Sequence, residues 1–250
     1  MRRSSQTQVP MNQPAIPNNV IPDVALVDNT EQRTPLVLVL DCSGSMAGAA
    51  IDQLNQGMKL LESELKDDAI ASKRVRLLVI RYGGNDLAET IGDWQDAMDF
   101  VPATLEANGT TPTGQAVDLA LAKIEEEKAA FRHAGVAYTR PWLFLMSDGQ
   151  PTDDWQAAAD RCRQAEQANK VAVFPIFVGG QGAPQGVIDA ALASLGGFSG
   201  RGVPAVKRLD GLKFRELFLW LSASMKVVSQ SRPGAQAQLP PVDTWSNAPT

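Results

Sequence analysis

The sequence predicts a three-layer, Rossmann-like α/β fold with a mostly parallel central sheet and helices on both of its faces. Short, unbroken apolar runs alternate along the chain with stretches of helical period. Such runs are typical of parallel strands buried on both faces, and the stretches between them supply the crossover helices. A chain of 250 residues with 44% hydrophobic content can bury one core of this kind. We therefore expect one domain between two tails.

The strands are indicated by four apolar runs and one weaker segment. The runs are LVLVL at Leu36, VRLLVI at Val75, WLFLM at Trp142 and VAVFPIFV at Val171. The weaker segment, LAETI at Leu87, follows the second run after a link too short for a parallel crossover, which predicts an antiparallel edge strand. Pro175 cannot donate to a strand ladder, so the fourth strand lies near an edge or carries a bulge, and the sequence leaves both open.

Helices are indicated where apolar residues recur at spacings of three and four, because this spacing places them on one helix face. The sets are Ile51, Leu54, Met58, Leu61 and Leu65; Val117, Leu121 and Ile124; Ala158, Cys162 and Ala165; and Phe214, Phe218, Leu221, Met225 and Val228. We expect each of these four faces to pack on the sheet.

The predicted domain extends over residues 33–228. Residues 1–32 and 229–250 are rich in Gln, Asn and Pro and poor in large apolar side chains. Such a composition buries too little surface to offset the entropy of ordering, so both segments are predicted to be flexible tails. Trp245 in the second tail is interpreted as inert, with a small docking anchor as the alternative.

Charge and cysteine content exclude several classes of function. The formal net charge is −5, with acidic and basic residues mixed along the chain, so we expect no nucleic acid partner. The only two cysteines, Cys42 and Cys162, form no CxxC pair, which argues against a disulfide framework or a zinc site. The first residues include no long apolar run. We therefore expect a cytoplasmic protein without a membrane span.

Polar residues follow the predicted strands at the edge where open α/β sheets bind their ligands. Asp41, Ser43 and Ser45 come directly after the first run, Asp148 follows the third run, and Thr111 lies in the loop before the second predicted helix. Two carboxylates with several hydroxyls suit hard cations rather than zinc. We therefore expect a Mg²⁺ site, with Mn²⁺ or Ca²⁺ as alternatives, that leaves a coordination position for an oxygen of a partner.

These residues resemble a known motif. DxSxS at Asp41, TPxG at Thr111 and SDG at Ser147, in this order, are similar to the metal-ion-dependent adhesion site (MIDAS) of von Willebrand factor A (VWA) domains. The resemblance implies direct coordination by the hydroxyls of Ser43, Ser45 and Thr111, with Asp41 and Asp148 in support, often through water. It also implies that a protein partner supplies an acidic side chain to the metal.

Within that family, three segments look like bacterial TerY-type proteins associated with tellurium resistance. The segments are DCSGSM, LMSDGQPTDDW and FLWLSASM. TerY-like proteins are linked to a protein kinase and a PP2C-type phosphatase. The resemblance therefore implies a non-enzymatic scaffold in stress phosphosignalling, with a Ser/Thr protein kinase and such a phosphatase as partners.

Catalytic alternatives fit the sequence less well. A P-loop would need a lysine where Gln115 stands, and a serine hydrolase motif at Ser199 would need a glycine where Arg201 stands. An aspartyl phosphatase acting through Asp41 is the strongest catalytic rival, but Ser43 occupies the position of the second aspartate of haloacid-dehalogenase-type enzymes. We expect no enzyme; a metal-stabilised scaffold that binds through helices or tails is a further alternative.

Residues beside the predicted site also have simpler interpretations. Thr152, Asp153 and Asp154 are typical of turns and helix caps, so they are left outside the site. Cys42 is interpreted as a packed apolar residue rather than a redox switch, and Cys162 as part of an apolar helix face.

Overall fold

A computed structural model describes residue 26 and residues 29–179, 184–209 and 211–246. Its strands are β1 (Thr34–Cys42), β2 (Val75–Gly83), β3 (Leu87–Thr90), β4 (Gln95–Asp96), β5 (Trp142–Ser147), β6 (Ala172–Phe177) and β7 (Lys207–Arg208). Its helices are α1 (Ala49–Lys66), α2 (Ala71–Arg74), α3 (Thr113–Ala134), α4 (Gln156–Gln167), α5 (Gln185–Gly197) and α6 (Phe214–Gln230). Most of the predicted tail 1–32 lies outside the described residues.

The strands form one sheet in the order β3-β2-β1-β5-β6-β7, with β4 also paired to β2. Strand β1 pairs in parallel with both β2 and β5, and β6 pairs in parallel with β5 and β7. Strands β3 and β4 run antiparallel to β2. The predicted mostly parallel sheet with an antiparallel edge strand is therefore confirmed.

The sheet separates two apolar cores. Successive side chains of a strand point to opposite faces. Leu36, Leu38 and Leu40 of β1 therefore pack with residues of α1 and α6. Val37 and Val39 pack with residues of α3, α4 and α5 on the other face. This arrangement confirms the three-layer architecture.

Four of the helices were predicted from their spacing. Helices α1, α3, α4 and α6 contain the four predicted apolar sets. Helix α5 was missed, although Ile188, Ala191 and Leu195 recur at spacings of three and four and are buried. None of the helices in the described ranges is both long enough and apolar enough to cross a lipid bilayer.

The position of Pro175 agrees with the near-edge alternative. Two residues earlier, the N–H of Val173 donates to Glu166 Oε1 at 3.1 Å, and its carbonyl accepts from Arg201, both away from β5. Alternate residues of a strand direct their backbone groups to the same side. The nitrogen of Pro175 therefore faces the side on which β7 pairs only with the last two residues of β6.

The segment after α6 packs on the domain. Trp245 is fully buried, with its ring centroid 5.3 Å from that of Trp220. Trp220 Nε1 donates to the carbonyl of Pro240 at 2.9 Å, and Ser246 forms an antiparallel bridge with Leu209. For residues 231–246, this packing corrects the prediction of a flexible tail, and it corrects the interpretation of Trp245 as inert. One large aromatic side chain supplies the burial that the average composition of the segment hides.

Candidate metal centre

Asp41 is the buried centre of the candidate site, at the carboxyl end of β1. Its Oδ1 accepts the backbone N–H of Ser43 at 2.8 Å, and its Oδ2 accepts the hydroxyl of Ser147 at 2.7 Å. The backbone N–H of Asp148 lies 3.4 Å from the same Oδ2. The Asp41 side chain is fully buried. The carboxylate is therefore held between the ends of the neighbouring strands β1 and β5.

A row of hydrogen-bonded oxygens leads from this centre to the surface. The hydroxyl oxygens of Ser43 and Ser45 lie 3.0 Å apart, and Ser45 Oγ donates to Asp148 Oδ1 at 2.8 Å. Ser43 is buried, Ser45 is exposed and Asp148 is half-buried. The loops after β1 and β5 thus bring two hydroxyls and one carboxylate together at the rim of the sheet.

The loop that carries Thr111 is held against both of these loops. The backbone N–H of Gly44 donates to the carbonyl of Gly109 at 3.0 Å. On the other side, Thr111 N donates to Thr152 Oγ1 at 3.0 Å, and Thr152 N donates to the Thr111 carbonyl at 2.9 Å. The structure therefore brings all five predicted site residues to the carboxyl edge of the sheet.

Two glycines allow these loops to approach each other. Gly83, at the end of β2, has φ of +131°, and a Cβ there would lie 2.4 Å from the carbonyl oxygen of Cys42. A Cβ at Gly109, where φ is +72°, would lie 2.8 Å from the Gly83 carbonyl oxygen. Since both contacts are to backbone atoms, a larger residue at either position would displace the loops that form the site.

The residues after β5 are more closely tied to the site than the sequence indicated. Asp153 Oδ1 accepts the N–H of Gly114 at 3.1 Å, and its Oδ2 accepts the N–H of Gln115 at 2.9 Å. Asp153 is thus a helix cap, as interpreted, but it caps α3 rather than the helix α4 that follows it. Thr152, also left outside the site, fixes the backbone of Thr111.

Two further residues near the site were not predicted. Tyr82 lies opposite Asp41 in the β1–β2 register and is fully buried, and its hydroxyl donates to the Met146 carbonyl at 2.7 Å. Burial, and then the charge of Asp41, raise the pKa of Tyr82 well above its ordinary value, so the phenol stays protonated. Asp86 Oδ1 accepts the N–H of Thr110 at 2.9 Å and adds an exposed carboxylate beside the site.

The two site carboxylates lie in an unfavourable electrostatic environment. Burial raises the pKa of Asp41. Burial, and then the charge of Asp41, raise the pKa of Asp148 to about 6. Neither forms an ion pair with a basic side chain in the part of the chain that the structure describes. A bound cation would relieve the repulsion that this arrangement creates.

The donor set fits a hard cation. Two carboxylates and three hydroxyls offer only oxygen, which Mg²⁺ and Ca²⁺ prefer. Within residues 29–179, 184–209 and 211–246, no three His, Cys, Asp or Glu side chains are grouped to hold a metal ion. Burial, and then the charge of Asp41, raise the pKa of the free Cys42 thiol to about 12, which supports its interpretation as a packed residue.

The family model of the von Willebrand factor type A domain matches residues 36–197. The chain belongs to the VWA domain family. The match begins at the third residue of β1 and ends with the last residue of α5, so it includes the five residues of the candidate site. No curated protein sequence matches the chain.

Solved structures share the VWA fold at low sequence identity. The pilus adhesin SpaC from Lactobacillus rhamnosus GG, in its open conformation, has a TM-score of 0.61 at 12% identity, covering 79% of this chain and 31% of that one. Proximal thread matrix protein 1 from the mussel byssus has a TM-score of 0.51 at 15% identity, with 84% and 50% covered. The ArnB paralog VWA2 from Sulfolobus acidocaldarius has a TM-score of 0.51 at 16% identity, with 78% and 46% covered. This VWA domain thus spans half or less of each of these chains, and the likeness shows the fold alone.

Proposed function

We propose that this VWA domain binds a Mg²⁺-type cation and uses it to bind an acidic side chain of a protein partner. The proposed ligands and supporting residues are Asp41, Ser43, Ser45, Thr111 and Asp148. The observation that carries the proposal is a cluster of two carboxylates and two hydroxyls. Asp41 accepts the backbone N–H of Ser43, hydrogen bonds join the hydroxyls of Ser43 and Ser45 to Asp148, and neither carboxylate is paired to a base among the described residues.

Each residue has a distinct part in this proposal. The hydroxyls of Ser43 and Ser45 are direct donors, and the Thr111 hydroxyl is the third. Asp41 holds the Ser43 backbone and so positions the serine loop, while Asp148 supplies the carboxylate nearest to the surface. The cation would supply the positive charge that attracts a partner carboxylate, since Mg²⁺ completes its shell with oxygen ligands from outside the protein.

The geometry argues against the aspartyl phosphatase alternative. A nucleophilic carboxylate must reach a phosphoryl group. Asp41 is fully buried, and both of its oxygens accept hydrogen bonds from Ser43 and Ser147. We therefore expect no Mg²⁺-dependent phosphate release from phosphomonoesters; release that is lost in Asp41→Asn would support the rival instead.

We further propose that the partners are a Ser/Thr protein kinase and a PP2C-type phosphatase, in a cytoplasmic stress or tellurite response. This proposal is supported by the TerY-like segments DCSGSM, LMSDGQPTDDW and FLWLSASM. It predicts that both enzymes co-purify with the chain in Mg²⁺ and are lost in EDTA. Co-purification that persists in EDTA would favour a scaffold that binds through other surfaces.

The metal site can be tested by Mn²⁺ binding, measured from the loss of the free-ion electron paramagnetic resonance signal. Ser45→Ala removes an exposed hydroxyl, so the fold should survive, and we expect Mn²⁺ affinity to fall by at least about tenfold. The matched control is Ser63→Ala, which removes an exposed hydroxyl near the opposite end of α1. Equal Mn²⁺ binding by both variants and the unmodified chain would exclude the proposed site.

A further inference from the structure

A groove of about 800 Å³ lies at the end of the sheet opposite to the candidate metal centre. We call it the basal groove. Its walls are the residues that precede β5 and β6, the second half of α3, and the segment 231–239 after α6. Since a six-residue strand is about 20 Å long, the basal groove and the metal centre are separate surfaces.

The charge of the basal groove has one sign. Lys128, Arg140, Lys170 and Arg232 line it, and no lining residue is a carboxylate. Only Lys128 has an ion pair, with Glu125 at 2.7 Å; the other three form none among the described residues. In a chain of net charge −5, this is an uneven concentration of unpaired positive charge. It favours an anionic ligand.

Arg140 is held in place for such a ligand. Its Nε donates to the carbonyl of Val171 at 2.8 Å, and its Nη2 donates to the carbonyl of Glu166 at 2.8 Å. Both partners are neutral carbonyls, so these bonds orient the guanidinium without neutralising it. The Glu166 carboxylate is close enough for its charge to act on Arg140, but its hydrogen bonds go to Ser199, Arg201 and the backbone of neighbouring residues.

The basal groove also offers an apolar surface. The rings of Trp142 and Phe174 stack with their centroids 4.1 Å apart, and both residues line the groove together with Tyr138. Along one wall, residues 235–240 have no regular secondary structure. An open groove of this kind suits an extended chain better than a small molecule, because small-molecule sites enclose most of their ligand.

We propose that the basal groove binds an extended acidic segment of a protein partner, independently of the metal. Carboxylates of the segment contact Arg140, Lys170 and Arg232, and an apolar side chain lies on the aromatic surface. The first 25 residues of the chain itself do not suit this site, because they carry Arg2 and Arg3 against a single carboxylate, Asp23. The overall negative charge opposes a long nucleic acid polyanion.

The test is a nuclear magnetic resonance titration of the ¹⁵N-labelled full chain in EDTA at low salt. The probes are a synthetic peptide of alternating Glu and Phe, its counterpart of alternating Lys and Phe, inorganic phosphate and single-stranded DNA. We expect saturable amide shifts at Trp142, Lys170 and Ala172 with the Glu-Phe peptide alone, and no shifts at Asp148. Because EDTA removes the cation, failure of the metal proposal would leave this result unchanged.

The double variant that carries both Lys170→Gln and Arg232→Gln should bind the Glu-Phe peptide about fivefold more weakly, since each change removes an exposed charge contact. The matched control, Lys59→Gln with Arg215→Gln, removes the same charge from exposed positions elsewhere and should leave the affinity unchanged. Equal weakening by both pairs, binding of the Lys-Phe peptide, or tighter binding of phosphate or DNA would overturn the proposal. So would shifts that appear only in Mg²⁺ around Asp148.

Discussion

The replacement Asp148→Asn should separate the stability of the VWA domain from its proposed metal binding. Burial, and then the charge of Asp41, raise the pKa of Asp148 from 3.8 to about 6. Keeping this side chain ionised above pH 6 therefore costs up to ~3 kcal/mol. Because the side chain is partly exposed and water screens it, we expect a cost of about 1–2 kcal/mol. Asparagine can still accept the Ser45 hydrogen bond without carrying the charge.

The pH dependence follows from the direction of the same pKa. Between pH 4 and pH 6 the folded state holds a proton on Asp148 that the unfolded state has lost, so the stability of the metal-free domain falls as pH rises. Above pH 6 the full cost applies. In EDTA at pH 7.5, Asp148→Asn should therefore raise the unfolding midpoint by roughly 2–8 °C, and at pH 4 the gain should vanish.

The assay is thermal unfolding followed by circular dichroism, in EDTA and in excess Mg²⁺. Mg²⁺ at a hundred times its dissociation constant should stabilise the unmodified chain by about 2.7 kcal/mol and leave Asp148→Asn unchanged. Asp154→Asn is the matched control, because it removes the same charge from an exposed position in the same loop. The reasoning is refuted if Asp148→Asn destabilises the metal-free domain or retains the Mg²⁺ effect.

Three further substitutions test the packing around the site and the end of the chain. Trp245→Ala should cost about 3–5 kcal/mol in urea unfolding, and a loss below ~1 kcal/mol would show that residues 231–246 do not pack as described. Gly83→Ala should lower the free energy of unfolding by at least ~2 kcal/mol and weaken Mn²⁺ binding, because its Cβ would meet the Cys42 carbonyl. The control Gly135→Ala also has a positive φ but lies in open space, so it should lower the free energy of unfolding by only about 1 kcal/mol and leave Mn²⁺ binding unchanged. Asp153→Ala should lower the free energy of unfolding by about 1 kcal/mol, because it removes the α3 cap. Asp153→Asn should retain most of that stability, and equal losses in the two variants would contradict the capping role.

The fold could be predicted because its signals are local. A run such as LVLVL at Leu36 identifies a strand buried on both faces without reference to the rest of the chain. The segment after α6 lacked such a signal. Its composition is polar on average, and the burial of Trp245 depends on Trp220, a residue of a different element. The average composition of a segment does not reveal a single aromatic contact with a residue of another element.

The candidate site was also predicted in part, where its signals are local, and missed where it depends on distant contacts. Parallel strands end at one edge of the sheet, so Asp41 and Asp148 could be expected to lie close together. The roles of Thr152 and Asp153 depend on hydrogen bonds to residues about 40 positions earlier in the chain. These bonds form because the loop before α3 crosses the edge between β1 and β5, and no local pattern in the sequence indicates this crossing.

The metal centre and the basal groove are both proposed to bind acidic groups of a partner, but the two surfaces differ in charge. The loops after β1, β2 and β5 contain Asp86, Asp148, Asp153 and Asp154 and no Lys or Arg, so without a cation this edge repels an acidic partner. The basal groove is positive without any cation. EDTA should therefore abolish binding at the metal centre and leave binding at the basal groove unchanged. High salt should weaken binding at the basal groove more than coordination to the metal, because it screens exposed charges. A partner that needs both contacts would be sensitive to each treatment, and only such a partner would show that the two ends of the sheet act together.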